Sequence, residues 1–172
     1  MTTPEHIGRD DVSRRELYLL ELERIESLPA DLCLPSARSV CLLAWDAGNT
    51  AKEEIARAAH KLLGQGAVYF CAWGESCERV HDIIDEAAAP DEPGKVNDGA
   101  IMTTWHDGKP LSSVIWYFLN SCWPDERLSD GCDAALAIVI GNPAWAREIR
   151  SAFADARAFS KQVLEEDPGD DE

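Results

Sequence analysis

Four short apolar runs recur along the chain, RSVCLLAW (38–45), AVYFCAW (67–73), AIMTTWH (100–106) and ALAIVI (135–140), and a stretch of helical periodicity follows each one. Several runs are apolar at consecutive positions rather than at alternate ones. Both faces of such a strand must be covered, as in a parallel sheet buried between helices. The helical stretches span about 50–63, ended by Gly64; 75–88, ended near Pro90; 110–122, ended before Pro124; and 143–160. Asn142-Pro143 opens the last with an N-cap residue and a proline at the first helical position, where a backbone N–H would have no intrahelical acceptor. Strand then helix, four times over, predicts an α/β three-layer sandwich with a mainly parallel four-stranded sheet, Rossmann-like or flavodoxin-like in class.

Ahead of the first run, Ser13-Arg14-Arg15-Glu16 has the spacing of a capping box. Tyr18, Leu22 and Ile25 follow at helical spacing, broadened by Leu17, Leu20 and Leu28, so the pattern predicts an extra amphipathic helix over 14–28. The predicted organisation is a flexible N-terminus (1–12), a single α/β domain (13–162) and a disordered acidic tail (163–172). A chain of 172 residues suits one core without metal or disulfide staples.

Charge narrows the partners. The chain carries 16 Lys and Arg against 32 Asp and Glu, a formal net charge of −16. Six of the acidic residues lie in 165–172, and the remainder still outnumber Lys and Arg by ten. Nucleic acid and anionic membrane need a cationic surface, so neither is an expected partner, whereas a basic protein is. Met1 to Asp11 is polar and acidic where a secretory leader would be basic and then apolar, and no run approaches the roughly 18 apolar residues of a membrane span, which predicts a cytoplasmic protein. The six cysteines contain no C-x-x-C pair. In a reducing compartment they read as free thiols, with Cys41 and Cys71 in the core.

In an open α/β sheet ligands bind beyond the carboxyl ends of the strands. Here that edge carries Asp46, Gly48, Asn49 and Thr50 after the first run, Glu75, Ser76 and Cys77 after the second, His106, Asp107 and Lys109 after the third, and Gly141 and Asn142 after the fourth. Three runs end on tryptophan, Trp45, Trp73 and Trp105, and three indoles on one edge would floor a pocket or partner groove, or plug the top of the core. The predicted binding set is Trp45, Asp46, Asn49, Trp73, Glu75, Trp105 and Asp107.

Asp46-x-Gly48-Asn49-Thr50 is similar to the phosphate loop of the sugar-kinase, actin and acetate-kinase superfamily. That loop leads into a hairpin strand, however, and here a helix follows. Thr50-Ala51-Lys52-Glu53 as a capping box, with Gly48 and Asn49 as turn residues, accounts for the same residues structurally. Cys77, near a helix N-terminus and four residues before His81, is a candidate nucleophile, although Cys77, Val80, Ile84 and Ala87 also form one apolar stripe. His106 beside Asp107 is a candidate general base, although Asp-Gly then Lys-Pro is ordinary turn chemistry. The pattern implies no cofactor and offers no clustered pair of metal ligands. The helix within SSVIWYFLNSCWPDE (112–126) is apolar almost all round and reads as a core helix, or as one whose second face meets another protein.

Taken together, LLAWDAGN, VYFCAWG, MTTWHDGKPL and WYFLNSCWPDE resemble a family of small bacterial α/β domains of unknown function, over about residues 38–145. The resemblance implies the fold and a bacterial origin, and it attaches no activity. Two readings of function follow. The first is a non-enzymatic acidic protein that binds a basic protein partner, such as an immunity protein or antitoxin facing a cationic toxin. The second is a small enzyme or ligand-binding domain that uses Asp46, Cys77 and His106 at the carboxyl edge of the sheet.

Overall fold

The computed structural model describes residues 2–90 and 99–166. They form an α/β fold with one mixed sheet of six strands and five helices. The strands are β1 (Glu5–Arg9), β2 (Glu16–Leu22), β3 (Arg38–Trp45), β4 (Ala67–Trp73), β5 (Met102–Trp105) and β6 (Cys132–Ile140), and the helices are α1 (Lys52–Gly64), α2 (Cys77–Ala88), α3 (Leu111–Asn120), α4 (Pro143–Ala154) and α5 (Ala156–Glu166). The strand order is β1-β2-β6-β3-β4-β5. The edge strand β1 runs antiparallel to β2, and the other pairings are parallel.

Two expectations about the sheet are corrected. It has six described strands instead of four, and its parallel part does not follow the 2-1-3-4-5 order of flavodoxin or the 3-2-1-4-5-6 order of the Rossmann fold. Counted from β2 along the chain, the fifth parallel strand, β6, lies between the first and the second.

The expected N-terminal helix over 14–28 is strand β2 followed by a single 3-10 turn at Ile25–Ser27. Leu17 and Leu19 face one apolar cluster, and Tyr18, Leu20 and Leu22 face the other. A strand covered on both faces is a continuous apolar run, which periodicity alone does not separate from a buried helix. Ser13 and Glu16 serve a hairpin instead of a capping box. The buried Asp10 carboxylate accepts from the Ser13 amide and hydroxyl, Arg14 turns the chain at φ 63°, and Glu16 meets His6 of β1 at 2.7 Å. The segment expected to be a flexible N-terminus (1–12) therefore holds a paired strand.

Two helix boundaries also differ. The expected helix over 143–160 breaks at Asp155, which leaves helical geometry (φ −146°, ψ 78°) and uses its carboxylate to accept from Ala158 N at the start of α5. Helix α5 then runs to Glu166, so 163–166 of the expected disordered tail are helical, while 167–172 lie outside the described residues. Most of the long loop expected over 89–99 also lies outside them, since 91–98 are not described.

The core divides at the sheet. On one face Ile55, Ala59 and Leu62 of α1 and Val80, Ile83 and Ile84 of α2 pack with Leu43, Phe70, Leu136 and Ile138. On the other, Ile115, Phe118 and Leu119 of α3 and Ile149 and Phe153 of α4 pack with Leu42, Val68, Ala137 and Val139. Helix α3 is thus a core helix, as its sequence implied. All five parallel strands end at the same edge, and there the candidate residues gather.

Candidate functional site

The Asp46–Thr50 loop is held by its own neighbours. The amides of Ala47 and Thr50 donate to Glu75 O and Ala47 O, and Arg79 of α2 donates to the carbonyls of Ala47 (3.2 Å) and Thr50 (2.9 Å). A loop that turns carbonyls toward a guanidinium is the reverse of a phosphate cradle, which needs free amides. The expected capping box is absent as well. Ala51 is the N-cap of α1 and no side chain caps it. Gly48 has no left-handed φ, and the Glu75 carboxylate lies over it, so that a Cβ there would be 2.7 Å from Oε1 unless that flexible side chain shifted.

Asp46 leaves the end of β3 and accepts a hydrogen bond from Glu75 N through Oδ1 at 2.8 Å. This contact clamps the end of β4 against the end of β3. Between them Gly74 adopts φ +115°, and a Cβ there would sit 2.3 Å from Trp45 O. Ser76 is also left-handed, so the chain turns sharply into α2. On the far side, the Asp107-Gly108-Lys109 turn is tied to β4 by Trp73 Nε1, which donates to Lys109 O at 2.7 Å. The Trp73 ring meets Trp145 edge-on, with centroids 4.7 Å apart and planes at 69°. Trp145 belongs to the first turn of α4, where Asn142 Oδ1 caps its amide.

These groups enclose an open cleft of about 270 Å³, lined by Asp46, Trp73, Gly74, Glu75, Asp107, Gly108, Lys109 and Trp145. Three acidic residues and one lysine are among these lining residues, and among the described residues none of the four is in an ion pair. A larger hollow of about 530 Å³ lies along the same edge, beyond β2 and β6, lined by Glu21, Leu22, Glu23, Gly141, Asn142 and Pro143. Size alone favours it. It has no aromatic wall, however, and the Oδ1 of Asn142 is already committed to the cap.

Of the binding set predicted from sequence, Asp46, Trp73, Glu75 and Asp107 come together here. Trp45, Trp105 and Asn49 do not line the cleft. Parallel strands pair Ala44 with Trp73 and Ala72 with Trp105, so each tryptophan is one residue out of register with the next and points to the opposite face. Trp45 is 4% exposed within the cluster under α1 and α2. Trp105 is 44% exposed and lies against His81 of α2, with centroids 4.5 Å apart. The sequence reading missed Trp145 as a wall residue. The Asn142-Pro143 cap was the available signal, because it sets the first turn of α4 at this edge.

Asp46, Cys77 and His106 are not assembled into one polar set. Cys77 is buried among the α1 and α2 side chains, and its thiol is shifted up first by that burial. His106 faces the other side of the sheet, where its ring packs on Tyr117 at 4.5 Å and Nε2 meets Thr104 Oγ1 at 3.1 Å. Below it lie Tyr69, joined to Tyr117 through their hydroxyls at 2.8 Å, and the buried Cys71 and Cys122. Burial opposes ionisation of Cys71, but hydrogen bonds from Cys122 and His106 outweigh it and bring the thiol down to about 6. Burial and the neighbouring Cys71 push Cys122 up.

Five of the six cysteines are buried, and Cys33 is exposed. Its thiol is shifted up by the Asp31 carboxylate beside it. Titration with a thiol reagent is expected to count about one reactive group in the folded protein and all six after denaturation, because the thiolate must be reached to react. More than one fast-reacting thiol in the native state would show that the Cys71 and Cys122 region opens.

No group of three or more metal-ligating side chains occurs among the described residues, and no described helix is long and apolar enough to cross a membrane. The chain belongs to the domain family of unknown function DUF7684, whose match covers residues 17–156, from β2 to the start of α5. Neither a curated protein nor a solved structure matches it.

Proposed function

We propose that this protein is a non-enzymatic interaction protein that binds a basic protein partner at the carboxyl edge of its sheet. An immunity protein or antitoxin meeting a cationic toxin in the cytoplasm is the example that suits it. The observation that carries the reading is the indole-walled cleft, lined by Asp46, Glu75 and Asp107 against Lys109 alone, with no ion pair made by these four among the described residues. The overall charge of −16 extends the same field over the surface and would steer a cationic partner toward it. Glu21 and Glu23 continue the acidic character along the edge. The enzymatic alternative has weaker support, since Cys77 and His106 lie on opposite faces of the sheet. The two apolar clusters also support reading the fold as a three-layer sandwich.

The test is capture from a native-cell lysate at low salt, followed by elution in a salt gradient and affinity measurement on the purified complex. A stoichiometric basic protein is expected, weakened by about tenfold when Asp46→Asn, Glu75→Gln and Asp107→Asn are combined, since exposed charge pairs contribute roughly 0.2–1 kcal/mol each. An affinity that is the same at low and high salt, or the same for the triple variant, would remove the electrostatic reading.

A further inference from the structure

We infer that the cleft walled by Trp73 and Trp145 is a socket for one arginine side chain of the partner, its guanidinium stacked on indole and held by Asp46, Glu75 and Asp107. This inference rests on the reading of the edge as the docking site of a basic protein.

Size restricts the occupant. At about 270 Å³ the cleft is smaller than the roughly 300–1,000 Å³ of pockets that take drug-sized ligands, so it suits a single long side chain better than a nucleotide-sized cofactor. Its lining sets the charge, because three carboxylates against one ammonium exclude an anion and favour a cation. Lys109 does not fill that role from within. Its ammonium makes no ion pair with any of the three, and what the turn supplies to Trp73 is the Lys109 carbonyl.

The walls distinguish one cation from another. Trp73 is fixed in plane by its Nε1 hydrogen bond to Lys109 O, and Trp145 is fixed at its backbone by the Asn142 cap. Two indoles meeting at 69° present a rigid aromatic corner instead of a closed cage. A planar, weakly hydrated guanidinium can lie on such a corner and still direct N–H groups sideways to carboxylates. Asp46 is suited to receive them, since Oδ1 is committed to Glu75 N and Oδ2 makes no hydrogen bond among the described residues. An ammonium is compact and strongly hydrated, and in a cleft this open it would keep its water and gain little from the rings.

The experiment is an NMR titration of the full chain carrying ¹⁵N-labelled tryptophan, at low salt, with three capped tripeptides: Gly-Arg-Gly, Gly-Lys-Gly and Gly-citrulline-Gly. Citrulline keeps the shape of arginine and removes its charge. The arginine peptide is expected to move the Trp73 and Trp145 indole signals saturably, the lysine peptide to bind about five- to tenfold more weakly, and the citrulline peptide to leave both signals in place. Trp145→Leu is expected to weaken the arginine peptide by about tenfold. Equal binding of the arginine and citrulline peptides, or no saturable shift with arginine, would overturn the assignment without any need for a variant. The purified partner complex separates the two claims. If Trp145→Leu leaves the partner's affinity and salt dependence unchanged, the arginine socket is wrong and the acidic docking face stands. If the arginine peptide binds in the cleft but no basic partner is found, the socket stands and the partner reading falls.

Discussion

Truncating Phe118 to alanine is expected to lower the unfolding free energy by about 3–5 kcal/mol, the usual range for removing a buried phenylalanine. Phe118 is 1% exposed, and its ring lies nearly parallel to that of Phe153 with centroids 6.2 Å apart. The pair joins α3 to α4 over the sheet, so the cavity left by truncation is bordered by two helices and strand side chains that are already close-packed. Urea unfolding followed by tryptophan fluorescence measures the loss as a lower midpoint with an unchanged slope. A loss below about 1 kcal/mol would mean that α3 collapses into the space and that the packing there is looser than described.

Gly74→Ala is the second large effect, and it reaches the site as well as the fold. Alanine at φ +115° is strained, and its Cβ would meet Trp45 O at 2.3 Å and Asp46 Oδ1 at 3.1 Å. Backbone oxygen does not give way as a flexible side chain does, so strain and overpacking together are expected to cost about 2–5 kcal/mol. The ends of β3 and β4 would also be pushed apart, breaking the hydrogen bond from Glu75 N to Asp46 and reducing binding of an arginine peptide in any fraction that still folds. Gly64→Ala is the control. Nothing lies within 4 Å of a Cβ at Gly64, the last residue of α1, and alanine there is expected to stabilise the protein by about 0.4–1 kcal/mol through the unfolded chain. If both glycine variants unfold at the same urea concentration, the close approach at Gly74 is not a constraint.

The central strands were legible in the sequence for a physical reason. RSVCLLAW and AVYFCAW are bounded by turn residues and helical periods, and they become β3 and β4 with the same limits. ELYLLEL was not legible as β2, because burial on both faces removes the alternation that would mark a strand and Ser13-x-x-Glu16 mimics a helix start. The sequence also cannot express which strands are neighbours, so the insertion of β6 between β2 and β3 was out of reach. The site was half legible. The edge rule brought forward Asp46, Trp73, Glu75 and Asp107, which line one cleft, while the three strand-end indoles expected together on that edge are turned to alternate faces by a one-residue register offset. Trp145 reaches the cleft from a helix distant in sequence; the Asn142-Pro143 cap places it in the first turn of α4 at this edge, but its contact with Trp73 is specified only by the three-dimensional fold.

That insertion of β6 has a consequence for how the protein is made. While residues 1–131 emerge from the ribosome, β2 and β3 have no strand between them, and each offers an unpaired edge of a largely apolar strand. Both edges are satisfied at once when Cys132–Ile140 arrives. The contacts that close the sheet are therefore among the longest in sequence separation, which slows folding and leaves the nascent chain prone to self-association until Cys132–Ile140 has been made. A chain stopped before residue 132 is expected to be captured by chaperones or to aggregate, even though it contains most of the residues that line the cleft.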